Sequence, residues 1–457
     1  MAKTLGKVVT PRPEPVTSPG EYHLRVYLDK SILVLAEGNE TPFVEGANNV
    51  RTKVRYKNII TALEGGFLTN QIKFCKENPK DIQFDLLSDE DRTLIDGLVD
   101  SMTSEVGRAL VGLSVLQITV KAIQPDQSIR LHKGGNSAKN FGWQDGISMR
   151  TLDASYITPV LRGEGLVKLN AFGFMMTRTL AENYPYTRVY KAAMRGARDQ
   201  WIGLVEGLET GRIKPLPALH CLLSKLLNNA QRFEDLATIT IDRLNILTKK
   251  GVFSNHQAIL LIIKQHMNAS NYAARIMEIA MHSLMQALEE MGVLGDLTVV
   301  PLSQMRSANK KHGNIGDIEL LDGKSISESW DAKYGKAYLR DELEELNDKL
   351  EYHSDLVVAG FVTSEKPQQL KELQTRIADI EALHGIPVKI LSLDGWVKAQ
   401  IERSEDNSKA FESEVSKRWI KAYTECLAQK RTQQAPIDEP CFQWISSLND
   451  ILLGIKG

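Results

Sequence analysis

Cysteine is scarce and scattered. The four residues, Cys75, Cys221, Cys426 and Cys441, share no CxxC and no paired spacing. That argues against a zinc site or a disulfide framework and fits a reducing cytoplasm. No GxxxxGK[ST] occurs anywhere in the chain, which argues against an ATP-driven machine. The longest apolar stretch read from the sequence, Ala258 to Ile263, is far short of the ~20 residues of a membrane span. Met1 to Gly20 is proline-rich and lacks the apolar run of a signal peptide. No internal repeat or low-complexity tract is found. A soluble cytoplasmic protein with no membrane partner is expected.

What is present is ordinary in bulk: 457 residues, 42% hydrophobic and 25% charged, enough for two to four domains. Net charge is -1, but it is unevenly distributed. From Arg130 to Arg198 there are eleven Lys/Arg against four acids, a local +7 that leaves -8 for the rest. Such asymmetry points to a polyanion held by one region. Within or near it, Arg130, His132, Lys133, Arg150 and Arg178 are candidate DNA contacts, and aromatics such as Phe141, Trp143 and Tyr156 are interleaved. Most of those aromatics are expected in the core.

Residues 1–20 read as a flexible tail and 21–200 as a mixed, basic recognition region. Short β-like runs are expected at 22–35 and 53–60, and a strand at Val115 to Ile123. Ser88 followed by Asp91 resembles a helix cap, with Leu94, Leu98 and Met102 on one face behind it. Residues 201–292 read as helical, with amphipathic stretches at Leu219 to Leu227 and Ile276 to Met291. Residues 293–400 then alternate. Strands are expected at Leu297 to Val300, Asn314 to Leu321, Ile326 to Tyr334, Asp355 to Thr363 and Val388 to Leu393, with helices at Tyr338 to Leu350 and Gln368 to His384. With the preceding helix the order is α-β-β-β-α-β-α-β. Residues 401–457 return to helix. The fold class is mixed α/β (α+β).

The chemistry sits in the second and third of those strands. A turn near Lys324, with a loop of about five residues, sets Asp317 opposite Asp331, fourteen positions later. Lys333 shares the face of Asp331, because side chains in a strand alternate with period two. Glu319 lies on the face of Asp317 and could help hold a second metal. Asp322-Gly323-Lys324 is another acid-x-Lys triplet, but it falls in the turn. Two carboxylates beside one ammonium suit Mg2+, which prefers few carboxylate oxygens and retains several waters. Such a cation can activate water against a phosphodiester. Lys310 and Lys311, ahead of the hairpin, are candidate phosphate contacts.

This passage resembles the PD-(D/E)xK nuclease superfamily, in which a hairpin presents an Asp and then an (Asp/Glu)-x-Lys triplet. Asp317 matches the lone Asp, and Asp331-Ala332-Lys333 matches the triplet. Gly316 replaces the usual Pro, and the triplet starts with Asp instead of Glu. The resemblance covers roughly residues 271–393. It implies a restriction-endonuclease-like core in the C-terminal half, with Asp317, Asp331 and Lys333 catalytic and Mg2+ as cofactor. Together with the basic region it implies a type II restriction enzyme that cuts double-stranded DNA as a homodimer. A cognate methyltransferase would belong to the same system without forming a stable complex. The alternatives are a structure-specific repair or recombination nuclease, and a non-catalytic DNA-binding protein on a nuclease-derived fold.

Overall fold

The computed structural model describes residues 22–35, 38–134, 141–167, 173, 180, 184–190, 196–302, 314–353, 355–429 and 440–455. The tail expected at 1–20 lies outside them. The chain divides into two compact units, 1–231 and 232–457. The helical segment expected at 201–292 is therefore shared between them.

Unit 1 opens with an antiparallel sheet of β1 (His23–Val26), β2 (Lys30–Val34) and β3 (Glu40–Val44). Helices follow: α1 (Val50–Glu64), α2 (Phe67–Glu77), α3 (Asp89–Asp100), α4 (Glu105–Ile123), α5 (Met149–Leu152), α6 (Thr158–Gly163), α7 (Arg198–Glu209) and α8 (Pro215–Lys249). Ser88 caps α3 by accepting from Asp91 N, as its spacing predicts. Two expected strands are helix instead: 53–60 lies in α1, and Val115 to Ile123 is the second half of α4. Helix α4 is buried on nearly all sides, so it has no amphipathic stripe to betray its period. Its polar Gln117 is satisfied inside, accepting from Trp201 Nε1 at 2.8 Å and donating to the Ile129 carbonyl at 2.9 Å. Val106–Ile123 is long and apolar enough to cross a membrane, contrary to the apolar-run reading, but 83% of that window is buried inside the fold.

Unit 2 begins within α8, whose later residues Phe233, Ala237 and Leu244 join its core. It continues with α9 (His256–Ala269), α10 (Ala273–Glu290), β4 (Thr298–Val299), β5 (Ile318–Asp322), β6 (Ser325–Lys333), α11 (Arg340–Leu350), β7 (Val358–Thr363), α12 (Lys371–His384) and β8 (Val388–Ser392). From α10 on, this is the order α-β-β-β-α-β-α-β expected from periodicity. Three helices close the unit: α13 (Leu393–Ile401), α14 (Lys409–Gln429) and α15 (Cys441–Gly454).

The five strands form one mixed sheet in the order β4-β5-β6-β7-β8, antiparallel through β6 and parallel thereafter. Both faces are covered. Ile318, Leu320, Trp330, Val358 and Val362 pack in one core with residues of α10, α13 and α14, while Ala359, Phe361 and Val388 pack in another with Leu343, Leu346 and Leu350 of α11 and Leu373 and Ile380 of α12. Every residue of β7 is buried, which explains its unbroken apolar sequence. Gly360 is required there, because a Cβ would sit 2.4 Å from the Lys389 carbonyl and 2.8 Å from the Trp330 ring.

His266 fastens α9 to the closing helices. Its Nε2 lies 2.8 Å from the Trp444 carbonyl and its Nδ1 lies 2.5 Å from the Tyr423 hydroxyl. A neutral ring satisfies both, donating to the carbonyl and accepting from the phenol. Burial pushes its pKa down from 6.5 to about 4. In that window the unfolded chain binds the extra proton, so stability is present above 6.5 and is lost as pH falls towards 4. The loss amounts to roughly 3 kcal/mol. Replacing His266 by Gln is expected to flatten the acid limb of the thermal midpoint, read by calorimetry across that range. Parallel limbs in the two proteins would refute this.

Candidate active site

Two strands, a tight turn and one extra residue build the site. Asp322 pairs with Ser325, so the hairpin closes through Gly323 and Lys324 alone, with Gly323 at φ 60°. That is shorter than the five-residue loop expected. In this register Leu321 faces Ile326, but beyond a bulge Leu320 faces Glu328 and Ile318 faces Trp330. Continuing that register sets Asp317, one residue ahead of β5, beside Asp331. The two carboxyls are hydrogen-bonded to each other, and Asp317 Oδ2 also accepts from Ala332 N at 3.0 Å.

Lys333 lies on the same face. Its ammonium is 2.8 Å from the Asp331 carboxylate and 5.8 Å from the centre of the Phe361 ring. Burial alone would lower its pKa, but Asp331, Asp317 and Glu342 together hold it above the usual lysine value. Asp317 shifts upward too, well above the usual carboxylate range. Burial is the main cause, and the charges of Glu278 and Asp331 add to it.

Glu278 and Glu342 are not anticipated from sequence. Glu278 is on α10, 39 positions before Asp317, and pairs with the buried Arg275. Glu342, in the first turn of α11, is 8% exposed and pairs with Lys336. Among the described residues each of these carboxylates, and Asp331, has a cation in direct contact, whereas Asp317 has none. Glu342 and Asp331 also line a cavity of about 10 Å³ with the buried Ser329, whose hydroxyl has no hydrogen-bond partner among the described residues. That is room for about one water molecule.

Glu319, expected to help hold a second metal, is tied to the backbone ahead of Asp317. At 4% exposure its carboxylate accepts from Ile315 N at 2.6 Å and Gly316 N at 3.3 Å. It thereby holds the backbone that leads to Asp317. Gly316 is fixed for the same reason. A Cβ there would meet the Ser329 hydroxyl at 2.7 Å and the Trp330 carbonyl at 2.8 Å, and a proline would also lose the N–H given to Glu319.

The expected DNA contacts fare unevenly. Arg130 and His132 are drawn into the fold. Arg130 turns inward to donate to the Tyr186 carbonyl at 2.8 Å, and His132, 6% exposed, stacks on the Tyr186 ring at 5.3 Å. Both serve the core of unit 1. Lys133 is exposed over the Phe141 ring and Arg150 is exposed on α5. Arg178, Lys310 and Lys311 lie outside the described residues.

Two adjacent carboxyls, one with no cation in contact among the described residues, are a donor set that suits a small hard divalent ion. Among the described residues no three His, Cys, Asp or Glu side chains form a ready-made metal cluster. Mg2+ does not require one, since waters complete its shell. The chain matches no protein-family model and no curated protein.

The half-buried acid pair and the tight approach of Gly316 can each be tested by stability. A raised Asp317 pKa means that its stabilising contribution is full below the unfolded carboxylate value and is lost as pH rises through the folded one. Without divalent ions, Asp317→Asn is expected to melt higher than the native chain at pH 8, with the gap closing near pH 4. An unchanged gap across that range would contradict the buried-charge assignment. Gly316→Ala is expected to cost about 1–3 kcal/mol by overpacking, measured by denaturant unfolding. A neutral result would mean that Trp330 yields freely.

Proposed function

We propose that this chain is a Mg2+-dependent endonuclease of the PD-(D/E)xK kind that hydrolyses phosphodiester bonds in double-stranded DNA. The observation that carries the reading is the meeting of Asp317, Asp331 and Lys333 on one sheet face, with no cation in direct contact with Asp317 among the described residues. Asp317 and Asp331 would hold the ion. When bound, it supplies charge, making a water more acidic and offsetting the negative charge that grows on a phosphate under attack.

The side chains do the rest. Asp317 is oriented by the Ala332 N–H and Asp331 by the Lys333 ammonium. Lys333 is kept protonated by its neighbours and offers N–H donors to a phosphate oxygen or to the incoming water. Glu319 and Gly316 keep the approach to Asp317 rigid. Lys336, 57% exposed one turn beyond Lys333 and paired with Glu342, borders a groove of about 380 Å³ lined also by Tyr338 and Arg340.

More narrowly, we infer a type II restriction enzyme acting as a homodimer. A structure-specific nuclease is the second reading. It is favoured by the inward turn of Arg130 and His132, two residues expected to read DNA. Digestion of long mixed-sequence DNA with Mg2+ separates the two: discrete fragments with common ends support restriction, and junction-only cutting supports the second. Asp317→Ala, Asp331→Ala and Lys333→Ala are each expected to lower cleavage at least about a hundredfold. Full cleavage by Asp331→Ala would sink the catalytic assignment. Binding without nicking in Mg2+ and Mn2+ would leave only a DNA-binding protein. Mg2+ at a hundred times its Kd is expected to stabilise the native chain by about 2.7 kcal/mol. That gain should vanish in Asp317→Ala.

A further inference from the structure

Helix α1 carries Arg51, Lys53, Arg55 and Lys57 within its first eight residues and no acid before Glu64. The start of a helix is its positive end, where unpaired N–H groups and the aligned peptide dipoles favour acids and oppose cations. This placement works against the helix it sits on. Only Arg55 is neutralised within the fold, reaching Asp145 at 3.3 Å and Gln127 at 2.9 Å. Asp145 is further occupied by Asn49 and Thr52. Arg51, Lys53 and Lys57 are exposed and, among the described residues, form no ion pair.

The inner face of α1 is Thr52, Ile59 and Leu63. Val50, Lys53, Val54 and Lys57 follow the i, i+3, i+4, i+7 spacing of a single outer stripe, with Arg51 at its edge. Val50 is 77% exposed and Val54 54%. The Tyr56 hydroxyl is hydrogen-bonded to Ser148 and Thr151, which brings α5, with its exposed Arg150, against the helix. Two small β-branched side chains lack the large apolar anchors with which a surface helix enters lipid. A rigid row of cations instead matches a row of phosphates.

We propose that the outer face of α1, through Arg51, Lys53 and Lys57, docks the phosphate backbone of duplex DNA. The choice of DNA rests on the nuclease reading above, but the surface belongs to unit 1 and is tested separately. The full chain and a variant combining Arg51→Gln, Lys53→Gln and Lys57→Gln are titrated into a fluorescent duplex in EDTA at several salt concentrations. Matched thermal midpoints show that both are folded. The variant is expected to bind at least about tenfold more weakly, with its salt slope reduced by about 0.9 for each phosphate it no longer neutralises. A variant with Arg51→Lys, Lys53→Arg and Lys57→Arg should retain binding, since phosphates read charge here. Equal affinity and equal slope in the glutamine variant would overturn the proposal. So would loss of binding to anionic lipid vesicles with DNA binding untouched. A native chain that cuts DNA regardless of these residues would refute the docking face alone. One that binds through them but never cuts would refute the nuclease reading alone.

Discussion

Asp317 and Asp331 face each other because β6 contains one residue more than a regular hairpin needs. A two-residue turn at Gly323-Lys324 pairs Leu321 with Ile326, and continuing that register would set Asp317 opposite Trp330. The bulge between Leu320 and Leu321, which leaves Ser327 without a partner on β5, shifts the pairing by one. Since side-chain direction has period two, that shift decides which acids share a face. It also lets Ile318, Leu320 and Trp330 point together into the core on the other side. Apolar burial and the acid pair are thus consequences of a single register.

Holding two carboxyls together is unfavourable unless something offsets the repulsion. Around this pair the protein offsets the other charges first. Lys333 meets Asp331, Lys336 meets Glu342 and Arg275 meets Glu278. What remains is Asp317, half-buried, hydrogen-bonded and without a cation in contact among the described residues. Two ties to the backbone ahead of it, from Glu319 and from the Lys349 ammonium to the Ile315 carbonyl at 3.1 Å, keep it from relaxing away. The unfavourable carboxyl contact is local and held in place, as expected of a group arranged for a ligand more than for stability.

The sheet unit is legible in the sequence because its elements are amphipathic or bounded by turn residues. Leu343, Leu346 and Leu350 mark α11 by spacing alone, and Gly385, at φ 71°, ends α12. The pairing of Asp317 with Asp331 is legible too, though through a five-residue loop. A longer loop and a tight turn with a bulge give the same register beyond Leu320. Less can be read where burial is complete on all sides. Helix α4 offers no periodic contrast, and its Val115, Ile118 and Val120 imitate a strand. Glu278 and Glu342 escape notice because their roles depend on helices packing over the sheet, and no spacing in the chain records that.

Charge is the least faithful guide, for a reason visible in two arginines. Arg130 lies in the most basic stretch of the chain, yet its guanidinium is consumed by the Tyr186 carbonyl and by the charges of Glu209 and Glu206. Burial lowers its pKa, and those two acids offset part of that cost. Arg51 lies outside that stretch and has no such partner among the described residues. A window count adds both as +1, whereas only a cation left unneutralised by its own fold projects a field into solvent. The decisive quantity is therefore charge after internal pairing. By that measure Arg51, Lys53 and Lys57 of α1, exposed and in no ion pair among the described residues, weigh more than the inward-turned Arg130.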